Sequence, residues 1–296
     1  MNELYKIPIA VIGCGMAGMS HLAECAFHPD LDVIAVCSNG SGREQSCADL
    51  FGIPYRYISV KTCMEEIGSS IAVALFSVPP SSLADSLQSC IGRFAIVADK
   101  PGAFLDDTQL RDRTLFYYSR RSFSMFPDLL NQVDWATNNG GKIFYQTIGP
   151  YSKRYTVGET YLVQERKHGV IRDTLCHFFD LICASKASDS IQIQNVQKFG
   201  IPETQCNIEL QLGNAQVLIE TMDQTDRQES WLLHISSPSE TGSKNFTIDN
   251  LAYERNYTIS LANQLVNYVR RGEQGIFLDY KQNEKILKLI RDLYEY

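Results

Sequence analysis

The sequence predicts an α/β fold: a doubly wound parallel sheet comes first, and an α+β part with a mainly antiparallel open sheet follows. Two observations carry this prediction. Short apolar runs alternate with helical segments roughly every 25 residues in the first part, as in parallel sheets. After that, short and partly alternating runs follow one another, separated by Gly, Pro, Asn or Asp, as hairpins are.

The pattern changes near Arg120, and we predict the domain boundary there. The first domain is predicted over residues 1–121 and the second over 122–296, with the last helix free to pack back on the first domain. A chain of 296 residues suits two domains with a sizeable core.

In the first domain, strands are predicted at Pro8–Ile12, Val33–Cys37, Ile71–Phe76 and Phe94–Ala98, with a further element near Gly52 that a helix follows. Helices are predicted at Met16–Ala26 and Ser82–Ile91, where apolar residues recur at helical spacing. Polar loops follow the strands. Ser38, Ser77 and Lys100 all fall just after strand ends, the edge where doubly wound sheets bind their ligands.

In the second domain, the predicted strands are Lys142–Ile148, Ile191–Phe199, Asn207–Leu212, Gln216–Met222, Trp231–Ile235 and Phe246–Ile248. The predicted helices are Ile171–Ala184, Thr258–Arg271 and Lys281–Tyr294. An open sheet leaves one apolar face uncovered, and we assign Leu210, Leu212, Val217 and Ile219 to that face. We therefore expect a homo-oligomer, a dimer or tetramer, with a partner subunit on this face.

Composition excludes several classes of protein. The net charge is −7 without a basic run, which argues against a nucleic-acid partner. No apolar run reaches the ~20 residues of a membrane span, and the N-terminus lacks a signal-peptide layout. The nine cysteines include no C-x-x-C pair. We therefore expect reduced thiols in a cytoplasmic protein, and we expect no metal site.

The stretch Gly13-Cys14-Gly15-Met16-Ala17-Gly18 follows the first strand and opens a helix. This G-x-G-x-x-G context is the dinucleotide fingerprint of a Rossmann domain. Gly13 allows a tight turn, Gly15 allows the backbone to approach a pyrophosphate, and Gly18 allows helix and strand to pack closely. The helix N-terminus at Met16 and Ala17 favours the phosphates. A glycine-rich turn that serves packing alone is the alternative.

The residues after the second strand indicate which nucleotide binds. Ser38 lies twenty residues beyond Gly18, where NAD sites usually carry Asp or Glu for the ribose 2′-hydroxyl. A serine hydroxyl, with Asn39 and Arg43 nearby, accommodates a 2′-phosphate, so NADP(H) is favoured over NAD(H). Arg43 as the solvated start of the next helix is the alternative.

Two further segments carry candidate chemistry. Lys100 stands at a strand end before Pro101, which restricts the neighbouring backbone; an ordinary surface lysine is the alternative. In the helix predicted from Ile171, Asp173, His177 and Asp180 have spacing i, i+4, i+7 and share one face. A histidine flanked by two carboxylates is well placed for proton transfer, although most lone histidines on apolar helices are core residues.

These motifs together resemble the glucose–fructose oxidoreductase / inositol dehydrogenase / MocA family of NAD(P)-dependent oxidoreductases. The matching features are the early GCGMAG, SVPP after the fourth strand, DKP after the fifth where the family usually reads EKP, and GVIRDTLCHFFDL with its D-x-x-x-H-x-x-D spacing. The tail from Ala262 to Tyr294 also resembles the family's closing helices.

The resemblance implies a catalytic set of Lys100, Asp173 and His177, in which His177 exchanges a proton with a substrate hydroxyl or carbonyl. Lys100 then polarises that oxygen, and Asp173 orients the substrate. The implied cofactor contacts are Gly13, Gly15, Met16, Ala17, Gly18, Ser38, Asn39, Arg43, Ser77, Val78, Pro79 and Lys100.

The sequence also departs from the family. Leu83 replaces a frequent histidine, and Ser122–Pro127, with Ser124 within it, replaces a common N-x-R-F-x-P segment. The expected reaction is hydride transfer at a hydroxyl or carbonyl carbon of a sugar, polyol or related small molecule. A reductase of C=N or C=O bonds in a less polar biosynthetic intermediate stays open, as does a nucleotide-binding sensor without catalysis.

Overall fold

The computed structural model describes residues 5–90, 92, 94–123, 125–152, 169–239, 242–249 and 260–296. The chain divides into two compact units. The first comprises Met1–Tyr118 with Ile259–Glu284, and the second comprises Ser119–Thr258 with Lys285–Tyr296. The segment 259–284 thus belongs to the first unit, although the sequence placed it in the second domain.

The elements follow the chain in this order: β1 (Ile7–Ile12), α1 (Met16–Ala26), β2 (Leu31–Cys37), α2 (Arg43–Phe51), β3 (Tyr55–Tyr57), α3 (Val60–Ile67), β4 (Val73–Phe76), α4 (Pro80–Gln88), β5 (Ala95–Asp99), α5 (Thr108–Arg113), β6 (Thr114–Tyr117), α6 (Phe126–Asn139), β7 (Lys142–Gly149), α7 (Val170–Asp173), α8 (Cys176–Ala184), β8 (Ile191–Phe199), β9 (Gln205–Leu212), β10 (Ala215–Asp223), β11 (Ser230–Ser239), β12 (Gly242–Asp249), α9 (Leu261–Arg271) and α10 (Tyr280–Glu295).

The first unit contains a six-stranded sheet in the order β3-β2-β1-β4-β5-β6, and every pairing in it is parallel. This confirms the predicted doubly wound sheet. The chain reverses direction across the sheet between β1 and β4, and this switch point is where such sheets bind ligands. The edge strand β6 and the helix α5 before it are elements that the sequence reading missed.

Helix α9 is held in the first unit by its cap and its apolar face. The Ser260 hydroxyl accepts a hydrogen bond from the backbone N–H of Asn263, and Glu24 of α1 accepts one from the N–H of Ala262 at 3.1 Å. Leu261 and Leu265 are buried in the same core cluster as the strands. Burial of each such leucine stabilises the fold by about 1.5–3 kcal/mol.

The second unit contains a mixed sheet in the order β12-β11-β7-β10-β9-β8. The central pair β7 and β10 is parallel, and the other pairings are antiparallel. The prediction of a mainly antiparallel sheet is therefore confirmed. Helix α6, also unpredicted, packs on β7, β10 and β11.

One prediction about this sheet is wrong. Leu210, Leu212, Val217 and Ile219 were assigned to an uncovered face, but each is at most 1% exposed in the single chain. They belong to the inner face, with Tyr145 of β7, which packs against Phe178 of α8. Strand alternation identifies residues that share a face, but it does not tell which face the helices cover.

The outer face of the second sheet is the more exposed one. Phe144 and Leu218 lie side by side on β7 and β10 and are half-exposed. Met222, four residues beyond Leu218 on β10 and on the same face, is 39% exposed. Polar neighbours such as Gln146 and Glu220, which share a hydrogen bond of 3.0 Å, alternate with these apolar side chains.

Candidate functional site

The turn after β1 leaves no room for side chains at two of its glycines. Gly13 has a positive φ of 103°, and a Cβ there would lie 2.2 Å from the carbonyl oxygen of Ser77. A Cβ on Gly18 would lie 1.8 Å from the carbonyl oxygen of Gly13. The turn thus packs directly against the end of β4 because both residues are glycine.

The N-terminus of α1 faces open space. Gly15 is the N-cap residue and no side chain caps the helix there. A Cβ on Gly15 would meet no heavy atom within 4 Å among the described residues beyond its chain neighbours, and Met16 is 94% exposed. The first N–H groups of an α-helix have no partner within the helix, so this end is suited to bind phosphate. The cradle therefore fits the pyrophosphate of a dinucleotide.

The loop after β2 places the predicted ribose-binding residues at the same edge of the sheet. The Ser38 N–H donates to the carbonyl oxygen of Tyr57 at 3.0 Å, which ties the loop to the end of β3. The Ser38 hydroxyl donates to Asn39 Oδ1 at 3.4 Å. Asn39 and Arg43, the first residue of α2, are exposed.

A hydrogen-bonded cluster that sequence reasoning missed joins α1, β4 and β5. His21 Nε2 lies 3.1 and 3.0 Å from the two carboxylate oxygens of Asp99, and the Ser77 hydroxyl donates to Asp99 Oδ2 at 2.7 Å. Burial opposes protonation of His21, but the hydrogen bond and charge of Asp99, with a further contribution from Glu24, raise the pKa of His21 above its usual 6.5. The cluster therefore holds the last residue of β5 in place.

Lys100 follows Asp99 directly and is half-buried. Its backbone N–H donates to the carbonyl oxygen of Tyr117 on β6 at 3.1 Å. The N–H of Gly102 donates to the carbonyl oxygen of Asp99 at 3.3 Å. The backbone of Lys100 is thereby fixed at the carboxyl end of β5. Val78 and Pro79, also predicted to contact the cofactor, are half-buried after β4.

Asp173 and His177 lie in the second unit, but not on the single helix that the sequence predicted. The helix expected from Ile171 to Ala184 is two helices, because a turn at Thr174–Leu175 separates α7 from α8. Asp173 ends α7 and His177 lies in the first turn of α8; both are half-buried. The two side chains therefore do not project from one continuous helix.

Asp180 does not flank His177 as one of the two carboxylates that the sequence predicted. It is fully buried, and Arg121 binds both of its oxygens at 2.8 to 3.0 Å. Burial raises the pKa of Asp180, and the Arg121 guanidinium opposes that rise. Asp180 is thus a structural partner of a residue 59 positions away, and it does not form the expected second carboxylate for His177.

His177 lines a pocket with mostly apolar walls. The other lining residues are aromatic or aliphatic, apart from one arginine: Arg120, Phe126, Leu129, Tyr145, Phe178, Leu181, Trp231 and Leu233. The Arg120 guanidinium lies 4.7 Å from the ring centre of Trp231 and donates to the Tyr145 hydroxyl at 2.8 Å. The aromatic residues of this pocket come from distant parts of the sequence, so no local motif predicts it.

Leu83 and Ser124 are the two positions that depart from the family pattern, and the structure describes only the first of them. Leu83 of α4 is 2% exposed, so it contributes to packing in the first unit. Ser124 lies outside the described residues.

The predicted site residues thus fall into two groups. The first unit brings together the glycine turn, the Ser38 loop, Ser77 and Lys100, and the second unit carries Asp173 and His177. Across the described part of the chain, no group of three or more His, Cys, Asp or Glu could hold a metal ion. Nor is any helix within those residues long and apolar enough to span a membrane.

A parallel sheet with a glycine cradle at its first helix defines a dinucleotide-binding α/β protein. Residues 7–107 match the family model described as "Oxidoreductase family, NAD-binding Rossmann fold". This match over residues 7–107 agrees with the resemblance to the glucose–fructose oxidoreductase / inositol dehydrogenase / MocA oxidoreductases that the sequence motifs indicate.

Solved structures of similar fold cover nearly the whole chain. GenD2 from gentamicin A biosynthesis, in complex with NAD, is 12% identical, with a TM-score of 0.76 over 100% of this chain and 95% of that one. The WlbA dehydrogenase of Bordetella pertussis, with NADH and UDP-GlcNAcA, is 14% identical, with a TM-score of 0.70 over 98% and 96%.

A probable dehydrogenase from Thermotoga maritima is 13% identical, with a TM-score of 0.69 over 98% and 97%. No curated protein matches the chain. At these identities the likeness to solved structures concerns the fold.

Proposed function

We propose that this protein transfers a hydride between a nicotinamide nucleotide and a hydroxyl or carbonyl carbon of a sugar, polyol or related small molecule. The observation that carries the proposal is the glycine cradle of the first unit, with Lys100 fixed at the end of β5. The bound nucleotide supplies the hydride acceptor or donor. The family match over residues 7–107 supports the same reaction class.

In this proposal Lys100 binds the substrate oxygen and stabilises the negative charge that develops on it. An ammonium group beside such an oxygen lowers the free energy of the alkoxide-like transition state. Hydrogen bonds from the Lys100 N–H to Tyr117 of β6 and from the Gly102 N–H to the carbonyl oxygen of Asp99 hold the backbone at this point, so only the side chain has to be ordered when substrate binds.

His177 is the proposed proton acceptor from the substrate hydroxyl, or the proton donor to the carbonyl in the reverse direction. An imidazole titrates close to neutral pH and therefore suits both directions. Asp173, at the end of the preceding helix, is the proposed residue that orients the substrate and supports the charge on the imidazole.

NADP(H) is the nucleotide that we propose. The Ser38 loop carries a hydroxyl where NAD sites usually carry a carboxylate, and Arg43 is exposed at the start of α2. The nine cysteines are all buried free thiols, which supports a reducing setting, and we propose the cytoplasm.

A second candidate is a reductase of C=O or C=N bonds in a less polar intermediate. The surroundings of His177 favour it, because most of the side chains there are aromatic or aliphatic, although the pocket that they enclose in the single chain measures only about 20 Å³. A polyol hydroxyl placed against such walls loses its hydrogen bonds to water, at a cost of about 1–3 kcal/mol for each group left unsatisfied.

Turnover of a small substrate panel tests the proposal and separates the two candidates. The panel contains myo-inositol, D-glucose, cyclohexanone and the cyclic imine 2-methyl-1-pyrroline, each with NADP(H) and NAD(H). We expect Lys100→Met and His177→Asn each to lower kcat/KM about 10²- to 10⁴-fold. The nucleotide Kd of His177→Asn should stay within threefold of wild type, and that of Lys100→Met should change far less than its kcat/KM, because Lys100 is only one of twelve implied cofactor contacts. Nucleotide binding without turnover of any of the four would favour the sensor.

Matched controls exist in the same chain. Lys142→Met removes an exposed lysine of β7, and His234→Asn removes a half-exposed histidine of β11 that contacts Thr247. Both variants should keep wild-type kcat/KM. A loss equal to that of the Lys100 and His177 variants would contradict the assigned roles.

We further propose that the protein is a dimer or tetramer formed through the outer face of the second sheet. Half-exposed Phe144 and Leu218 and exposed Met222 on that face support it. Leu218→Asp should lower the sedimentation mass to that of a smaller species, whereas an unchanged mass would place the interface elsewhere.

A further inference from the structure

A cavity of about 250 Å³ lies in the first unit beside the Ser38 loop. It is lined by residues from the start of α2, the end of β3 and the start of α3: Glu44, Gln45, Arg56, Tyr57, Ile58, Ser59 and Thr62. The carboxyl edge of a doubly wound sheet is its ligand-binding edge, and β3 ends there beside β2.

The cavity and the Ser38 loop share a wall. Cys37, the last residue of β2, pairs with Tyr57, and the Ser38 N–H donates to the carbonyl oxygen of Tyr57 at 3.0 Å. A Cβ on Gly40 would lie 3.8 Å from Ile58. The loop that we assign to the adenosine ribose therefore runs along the edge of the cavity.

The side chains of the cavity are suited to bind a phosphate group. Arg56 is exposed on β3, and a guanidinium binds phosphate oxygens with two parallel hydrogen bonds. Ser59 caps α3 by accepting a hydrogen bond from the N–H of Thr62 at 3.4 Å. The positive end of the α3 dipole and two hydroxyl groups thus lie on the same wall as the arginine.

One acidic group on this wall, Glu44, opposes phosphate binding. Glu44 is 6% exposed, and its Oε1 accepts a hydrogen bond from the N–H of Gly42 at 3.2 Å. Its Oε2 is buried and has no hydrogen-bond partner among the described residues. A carboxylate near a phosphate dianion weakens its binding, so Glu44 opposes the binding of a phosphate group in this cavity.

We propose that this cavity receives the 2′-phosphate of the nucleotide, that Arg56 is a specificity-determining residue for NADP(H), and that Glu44 moderates this specificity. The inference rests on the proposed function and deepens it, because it assigns the phosphate contact to the end of β3 in addition to the Ser38 loop. The ligand chemistry is a phosphate monoester on the adenosine ribose, and free phosphate is the alternative source of the same group.

Adenosine 2′,5′-bisphosphate and AMP differ only in the 2′-phosphate, so calorimetric Kd values for the pair test the inference without any substrate. Wild type should bind the bisphosphate at least tenfold more tightly than AMP. Arg56→Gln should reduce that ratio about tenfold or more without changing the Kd of AMP. Glu44→Gln should increase the ratio, also with AMP affinity unchanged.

Arg271→Gln is the matched control, because Arg271 ends α9 with a side chain 66% exposed; its ratio should equal that of wild type. Circular dichroism spectra of each variant establish that it is folded. If Glu44→Gln does not fold, the Arg56 and Arg271 variants alone decide the assignment. Inorganic phosphate at millimolar concentration should compete weakly with both nucleotides, and more with the bisphosphate than with AMP, because only the bisphosphate places a phosphate group in this cavity.

The outcomes separate the two claims. Tight binding of AMP and NADH with no preference for the bisphosphate overturns this assignment and leaves the proposed function standing. An Arg56→Gln ratio equal to that of wild type also overturns it. Failure of AMP, the bisphosphate and NADH to bind at all contradicts the nucleotide site itself. Displacement by inorganic phosphate as strong as by the bisphosphate would identify a free-phosphate site.

Discussion

Replacement of Asp180 by asparagine tests the reassignment of this residue from the active site to the core. Asp180→Asn keeps the shape of the side chain and removes its charge, while Arg121 stays in place with its side chain 14% exposed. Arg121 now binds both oxygens of Asp180, so the variant leaves a largely buried guanidinium without its counter-ion. Loss of one partner of a buried pair destabilises a protein by about 3–5 kcal/mol.

That loss is large against a typical total stability of about 5–15 kcal/mol. It corresponds to a fall in Tm of roughly 6–20 °C for a unit of this size. Calorimetric melting measures it, with the Asp189→Asn variant as control, because Asp189 pairs with Lys285 while its side chain is 87% exposed. An exposed pair contributes at most about 1 kcal/mol.

Equal melting temperatures for Asp180→Asn and Asp189→Asn would refute the structural role of Asp180. The two roles also differ in their effect on turnover. If Asp180 acted on His177, folded Asp180→Asn protein would lose activity and shift its pH profile, whereas a core residue leaves both unchanged at temperatures below the transition.

Two further predictions concern the first unit. Gly18→Ala should abolish nucleotide binding or folding, since its Cβ would lie 1.8 Å from the carbonyl oxygen of Gly13. Gly15→Ala has open space around the Cβ and should melt within a few degrees of wild type. Equal melting temperatures and nucleotide affinities for the two variants would contradict the packing argument. His21→Gln should cost more stability at pH 6 than at pH 8.5. The folded pKa of His21 is raised, so its stabilising contribution is complete below its unfolded pKa of about 6.5 and disappears as the pH rises through the folded value. Chemical denaturation at the two pH values measures this, and a larger cost at pH 8.5 would show that the pair with Asp99 does not depend on protonation.

The first unit was predictable from sequence because its strands are buried on both faces. Such strands appear as continuous apolar runs, and β1, β2, β4 and β5 all fall on runs that sequence analysis identified. The missed strand β6 is only four residues long and lies just before the change of pattern at Arg120. The missed helix α6 has a proline in its first turn, and its buried residues Phe126, Leu129, Val133 and Ala136 recur at helical spacing. The sequence therefore carried a signal for this helix that sequence analysis did not use.

The candidate site was harder to predict because its contacts join distant parts of the chain. The spacing of Asp173, His177 and Asp180 indicates a shared helix face, but a turn at Thr174–Leu175 interrupts the helix. The partner of Asp180 is Arg121, which no local pattern reveals. The His21–Asp99 contact spans 78 positions, and only its position beside the GCGMAG and DKP motifs offered a sequence signal.

Deuterium transfer from NADPH carrying deuterium at the reactive nicotinamide carbon tests the central claim most directly. Mass spectrometry of the alcohol or amine formed from cyclohexanone or 2-methyl-1-pyrroline, and of NADPH formed from deuterated myo-inositol, follows the transferred atom. We predict transfer by the wild-type protein and a loss of about 10²-fold or more in both Lys100→Met and His177→Asn, with nucleotide affinity retained. Undiminished transfer in either variant, or no transfer with any of these compounds while the nucleotide binds, would contradict the account.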